Sequence, residues 1–260
     1  MPSTLANILQ IGLDGPCLTT DFARAVHNAS DSIRASPVFA MESFQFTDPN
    51  DPLSKHTSGK IVHQFIMVTV HVRDVAGEWA WTYFRVDFDN NPPPHGRQNV
   101  ALSDDHEDLR GYWSRGLARI AGVDQPGENG PSLDDIASLL EIMHRRTPGG
   151  YDALSRDCLW LTENLLLSTA RKYSQHWLAG HCKPEPLRRY TEGNSDVVAC
   201  IMQLVFHDPI SQTVAGTAVR AVRGMQAFFT QAAPNRIEPH DEEIRLILEE
   251  WQPCVKAGFM

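Results

Sequence analysis

The chain lacks the sequence signals that most directly indicate a membrane or an export route. None of its apolar runs reaches the roughly 18 to 20 residues that a membrane-spanning helix needs. Its first residues, Met1 to Leu13, have neither the basic start nor the continuous apolar centre of a secretory signal. We therefore expect no membrane span and a soluble, cytoplasmic protein.

Positive charge is also in deficit. The sequence has 23 Lys and Arg against 32 Asp and Glu, for a formal net charge of −9. Its basic doublets, such as Arg145–Arg146 and Arg188–Arg189, are isolated. Because a nucleic-acid surface needs clustered Lys and Arg to release counterions, we predict no nucleic-acid partner.

Paired cysteines and cofactor motifs are missing as well. The five cysteines are odd in number and scattered, without a CxxC spacing, which is typical of reduced thiols rather than of a disulfide framework or a zinc site. No GxGxxG, GxxxxGK[ST] or GxSxG motif occurs. The simplest signals for dinucleotide, nucleoside triphosphate and serine-hydrolase chemistry are thus absent, and we expect no metal and no cofactor.

What the sequence does contain is a mixture of strand and helix patterns, with enough apolar content, 42%, to bury a large core. We predict an α+β fold: a small antiparallel sheet packed against helices. Residues 1–182 would form the core and residues 183–260 a helical C-terminal extension packed on it. The predicted strands are Val38 to Phe46, Ile61 to Arg73 and Glu78 to Phe88. Three predicted helices run from Thr19–Asp21 to Pro37, from Asp104 to Ala121 and from Tyr151 to about Ala179. A fourth begins at a capping box formed by Ser132 and Asp135. The last begins at Pro239 and has the apolar stripe Ile244, Ile247, Leu248 and Trp251.

One cysteine stands at a position that favours reactivity. Cys158 follows Asp157 and begins the apolar run Leu159 to Ala170, which has the composition of a buried helix. A thiol in the first turn of a helix feels the positive end of the macrodipole, which favours the thiolate. The plainer interpretation is an inert cysteine in the core.

A histidine far upstream is the second candidate. His63 lies in the apolar strand Ile61 to Arg73, and its carboxylate partner depends on the register of the following hairpin. If Asp74 pairs with Glu78, His63 lies opposite Asp89 with Asp87 as its diagonal neighbour on the same face. If Val75 pairs with Glu78, both aspartates move to the other face. The sequence leaves both registers open.

These residues carry a family resemblance. His63–Gln64–Phe65 opening a hairpin, followed by Tyr151 and the run Arg156 to Trp160, resembles the circularly permuted papain-like enzymes. That group includes the lecithin:retinol acyltransferase-like proteins and the PPPDE peptidases. The chain most resembles an uncharacterised group of fungal proteins with a His-Glu-Phe/Tyr strand and an Asn-Cys-Tyr-Trp-Phe helix start. The likeness covers roughly Ile61 to Ala170.

Two positions depart from the group's pattern. Gln64 stands where an acidic residue is usual, and Asp157 stands where an asparagine usually precedes the cysteine. A carboxylate beside Cys158 opposes the thiolate, whereas the same carboxylate used as a helix N-cap directs its charge at backbone N–H groups.

The resemblance implies a cysteine-dependent hydrolase or acyltransferase acting on an amide, ester or thioester. Cys158 would be the nucleophile and His63 the base, with Asp87 or Asp89 orienting the imidazole. Trp160 and Gln64 would contact a small-molecule or peptide acyl substrate. The competing hypothesis is an inactive papain-like fold that serves as an interaction or scaffold protein. The small residues of Thr213 to Phe229 permit close helix packing within the chain or against a second copy, as in a homodimer.

Overall fold

The architecture is a six-stranded antiparallel sheet with helices packed on it. A computed structural model describes residues 3–46, 63–74, 76–88, 97–122, 130–147, 158–173, 176–177 and 240–251. The helices are α1 (Thr4–Leu9), α2 (Thr19–His27), α3 (Asp31–Arg34), α4 (His106–Arg110), α5 (Leu133–Arg145), α6 (Cys158–Lys172) and α7 (His240–Glu250). The strands are β1 (Cys17–Leu18), β2 (Val38–Phe46), β3 (Gln64–Arg73), β4 (Trp79–Phe88), β5 (Gln98–Ser103) and β6 (Ser114–Ala121).

The strand order is β1-β5-β4-β3-β2-β6, and every neighbouring pair is antiparallel. Strand β3 lies inside this order, and successive side chains along a strand point to opposite faces. Its residues Ile66, Val68, Val70 and Val72 therefore belong to one large apolar cluster, which also takes in α2, α5 and α6. Phe65 and Met67 face the other way and pack with Phe44 and Leu109 in a second cluster, under α4.

Several predicted elements are confirmed. The α+β class is correct, strand β2 has the predicted bounds, and Ser132 and Asp135 form the predicted capping box at the start of α5. Ile244 and Ile247 of α7 and Trp251, directly after it, are buried along one stripe. The helix predicted after Thr19 is instead divided into α2 and α3, which ends before Pro37.

The helix predicted over Asp104 to Ala121 is wrong. The segment contains the short helix α4 and the edge strand β6, separated by Gly111 at φ 72°, a left-handed conformation that ends a helix. Strand β6 then pairs with β2 from Phe46–Ser114 to Ala40–Ala121. Backbone pairing along an open sheet edge outweighs the helical spacing of the apolar residues.

Much of the C-terminal third of the chain lies outside the described residues. The segment Thr213 to Phe229 lies outside the described residues, as does most of the predicted extension. The final helix α7 contacts α5 and α6 through Trp251, whose Nε1 donates to the Asp135 carbonyl oxygen at 3.0 Å, and whose ring lies 3.9 Å from Lys172 Nζ. Within the described ranges, no helix is both long and apolar enough to cross a membrane.

Candidate active site

The β3–β4 hairpin adopts the register that pairs Asp74 with Glu78. The Asp74 N–H donates to the Glu78 carbonyl oxygen at 2.8 Å, and the next pair is Arg73 with Trp79. The Asp74 carboxylate also accepts from the N–H groups of Ala76 and Glu78, each at 2.9 Å, which fixes the turn. Extended past its last pair, Ile66 with Val86, this register puts Asp87 diagonal to His63 and on the same face of the sheet.

The geometry brings His63 and Asp87 together. Their side chains meet with Nε2 of His63 3.4 Å from Oδ2 of Asp87. A carboxylate only accepts, so Nε2 carries the hydrogen of this bond. The His63 side chain is 16% exposed and that of Asp87 17%, so both lie largely out of solvent.

Cys158 reaches the same place from the other side of the sheet. It is the first residue of α6, which packs on the face of β3 that carries Ile66 and Val68. The β3–β4 pairs begin only at Ile66–Val86, so the Gln64 N–H is left for another acceptor, and it donates to the Cys158 sulfur at 3.3 Å. The sulfur therefore lies at the end of the sheet, beside the residue that follows His63.

Cys158 lies close enough to His63 to act on its imidazole, as Asp87 does. Burial by itself lowers the pKa of His63, but the hydrogen bonds to Asp87 and Cys158 and the charges of these two groups outweigh burial and raise the pKa to about 9. The imidazole is therefore protonated at neutral pH.

A second interaction joins the Gln64 side chain to α6, the helix that begins with Cys158. The Thr162 hydroxyl, one turn after Cys158, lies 3.2 Å from Gln64 Oε1 and 2.9 Å from the Cys158 carbonyl oxygen. With its oxygen held in this way, the Gln64 side chain is fixed beside the sulfur and keeps its amide N–H groups to donate. Gln64, which the sequence predicts as a substrate contact, therefore lies beside Cys158.

The remaining candidates are Trp160 and three residues whose structure is not described. Trp160 is 7% exposed and belongs to the main apolar cluster, so its surroundings are those of a core residue. Asp89, Asp157 and Tyr151 lie outside the described residues. Among the described side chains, no group of three or more His, Cys, Asp or Glu residues is arranged to hold a metal ion.

Sequence reasoning missed Arg85. Its guanidinium donates to Asp87 Oδ2 through Nε at 2.8 Å and through Nη2 at 2.5 Å. The available signal was spacing: Arg85 and Asp87 are two residues apart on a strand and so share a face. Thr162, four residues after Cys158 on α6, was missed in the same way, although helical spacing puts it next to the thiol.

Comparisons with family models, with curated proteins and with solved structures found no match to this chain.

Proposed function

We propose that this protein is a cysteine-dependent acyl-transfer enzyme, a hydrolase or acyltransferase acting on an amide, ester or thioester. The observation that carries the proposal is the convergence of three side chains. His63 Nε2 lies 3.4 Å from Asp87 Oδ2, and the Cys158 sulfur accepts from the N–H of the adjacent Gln64 at 3.3 Å, close enough to act on the imidazole. A thiol, a base in contact with it and a group that orients the base are the parts that activated nucleophiles share.

The resting state that we propose is a thiolate at Cys158 paired with a protonated His63. The thiolate is stabilised by the imidazolium, by the Gln64 N–H at 3.3 Å and by the positive end of α6. Asp87 accepts from His63 Nε2 and so orients the ring. The exposed fraction of the site lies at His63 and Asp87, since Cys158 itself is 4% exposed.

The reaction then proceeds in two halves. The Cys158 sulfur bonds to the acyl carbon, and the carbonyl electron pair moves onto the oxygen, where N–H groups at the start of α6 stabilise the negative charge. As the leaving group departs with its bonding electrons, it takes the proton of His63, and a thioester remains on Cys158. Water or a second nucleophile gives a proton to His63 and attacks the thioester, which regenerates the thiolate and the imidazolium.

The papain-like, circularly permuted core is part of the same proposal. Its support is the order of parts along the chain: the histidine comes first, directly before strand β3 of the antiparallel sheet, and the cysteine comes later, at the first residue of a helix that packs on that sheet. The substrate would be a small molecule or peptide carrying an acyl group, with Gln64 as a contact. We propose a cytoplasmic location on the sequence argument alone.

The experiment that tests the function is selective acylation of the full chain. Short incubation with iodoacetamide near pH 6.5, and separately with p-nitrophenyl acetate, is followed by peptide mass spectrometry. We expect Cys158 to be modified first by both reagents. We expect His63→Gln to slow its modification at least about tenfold, because the imidazolium no longer stabilises the thiolate.

Cys17 is the matched control within the same chain. Burial raises the pKa of the Cys17 thiol to about 11, and this thiol donates to the Val100 carbonyl oxygen at 3.6 Å, so it should react slowly. The proposed function is contradicted if Cys158 is modified no faster than Cys17. It is also contradicted if His63→Gln leaves the modification rate of Cys158 unchanged. The 4% exposure of Cys158 would then favour the competing proposal, an interaction or scaffold protein that keeps the fold without the chemistry.

A further inference from the structure

Asp87 is held by more than His63. Three hydrogen bonds converge on one oxygen, Oδ2: Nε and Nη2 of Arg85 at 2.8 and 2.5 Å, and Nε2 of His63 at 3.4 Å. The two bonds from Arg85 are short and charge-assisted, whereas the bond from His63 is long. Arg85 therefore binds Asp87 Oδ2, the oxygen that also accepts from His63, more strongly than His63 does.

Arg85 is itself fixed in place. Its third nitrogen, Nη1, donates to the Leu109 carbonyl oxygen of α4 at 3.2 Å, and its guanidinium carbon lies 3.8 Å from the centroid of the Phe65 ring. The Arg85 side chain is 21% exposed. A planar guanidinium stacked on a ring and bonded on both sides has little freedom to turn, so it fixes the Asp87 carboxylate as well.

We propose that Arg85 is a positioning residue of the Cys158–His63 centre, which fixes the Asp87 carboxylate and, by sharing its oxygen, limits how strongly that carboxylate holds the His63 proton. This role rests on the proposed function, in which His63 must give its proton to a leaving group. An aspartate left to His63 alone would bind the imidazolium more tightly and make that transfer harder.

The charged groups that face His63 are few among the described residues. Asp87 comes from β4 and Cys158 from α6, and both favour the protonated ring. From β2, Glu42 lies on the same face, but it pairs with Arg119 and His106 instead. Arg85 is thus the cation placed to moderate the Asp87–His63 interaction directly.

The test is an NMR titration of the His63 imidazole in the full chain, with its signal assigned by its loss in His63→Gln. In Arg85→Met, which keeps an apolar side chain over Phe65, we expect the titration midpoint to rise by about half a pH unit or more, because Asp87 Oδ2 then serves His63 alone. In Arg85→Lys, which keeps the charge and can donate one bond, we expect a midpoint between those of the two other proteins.

Arg73→Met is the matched control. Arg73 also lies over an aromatic ring, Trp79, at 4.9 Å on the same hairpin, but at the end away from Asp87. Its removal should leave the His63 midpoint unchanged. If Arg85 merely joins β4 to α4, Arg85→Met will lower stability without moving the midpoint. An unchanged or lower midpoint overturns the proposal.

The two proposals fail separately. An unreactive Cys158 ends the proposed enzyme, while a shifted midpoint in Arg85→Met would still show Arg85 acting on His63 through Asp87. Should Arg85→Met not fold, Arg85→Lys decides: a midpoint equal to that of the unchanged protein contradicts the inference.

Discussion

The Asp87 carboxylate lies between the two basic side chains of the candidate site, His63 and Arg85. It accepts from His63 and from Arg85, so one negative charge lies between two cations in a region that solvent reaches only in part. Interactions between charges strengthen as water is excluded. A substitution at this position should therefore change the titration of its neighbours more than a substitution of a surface carboxylate does.

The sign of this effect follows from the causes of the His63 shift. The hydrogen bond and the charge of Asp87 both raise the pKa of His63, so the ring stays protonated at neutral pH and loses its proton only as pH rises through about 9. In Asp87→Asn the negative charge is gone, and we expect the midpoint of the His63 titration, followed by NMR, to fall by about one pH unit. The proton that the proposed mechanism needs is then lost at lower pH.

Asp108→Asn provides the comparison, since Asp108 is an exposed carboxylate of α4 that bonds to Ser103. We expect no shift at His63 in that variant. A midpoint in Asp87→Asn that stays near 9 would mean that Cys158 alone holds the imidazole proton.

At the scale of the element, several helices and strands signalled by their own sequence were predicted correctly, whereas strands that depend on a pairing partner were missed. The capping box of α5 and the aromatic-rich sequence of β2 are signals within the element itself, and the start of α5 and the bounds of β2 agree with the prediction. Strands β1, β5 and β6 exist because they pair: Cys17–Leu18 is a strand only beside Asn99 and Val100. Composition cannot show which backbone lies alongside.

In the candidate site, too, some residues are predicted from local sequence and others depend on strand pairing. Cys158 and His63 were found from local context, a helix start and a strand. Which aspartate joins them depended on the hairpin register, and that register is fixed by the carboxylate of Asp74 accepting two turn N–H groups. The sequence places Asp74 in the turn but does not show where its side chain points, so both registers stayed open.

The start of α5 gives a prediction at this scale. Ser132 accepts from the Asp135 N–H at 3.1 Å, and Asp135 accepts from the Ser132 N–H at 2.9 Å. We expect Ser132→Ala to lower the free energy of unfolding by about 1 kcal/mol in urea denaturation, because a helix N–H loses its acceptor. Ser30→Ala is the control, since Ser30 stands at the N-cap of α3 without a side-chain cap bond. Equal losses in the two variants would show that the capping bond contributes nothing.

At the scale of the whole molecule, the chain's last described helix is tied to the core by both charge and packing. Arg145, the last residue of α5, and Arg146, directly after it, bond to the two oxygens of Glu250, with Nη2 of Arg145 at 2.7 Å. Such exposed pairs contribute little to stability, usually under about 1 kcal/mol each. The attachment of α7 must therefore depend mainly on its buried apolar residues.

Trp251 is the buried aromatic residue just after α7, 3% exposed, where α5, α6 and α7 meet. Trp251→Ala leaves a cavity and removes the bond to the Asp135 carbonyl oxygen, so we expect the free energy of unfolding to fall by about 3 to 5 kcal/mol in urea denaturation. Trp113→Ala, at a position that is 44% exposed, should cost far less. If α7 is part of the same cooperative unit as the sheet, unfolding of Trp251→Ala will remain a single transition at lower urea, because loss of packing in one place weakens the whole. A separate early transition, or a loss no larger than that of Trp113→Ala, would show instead that the sheet and the helices around Cys158 fold without α7.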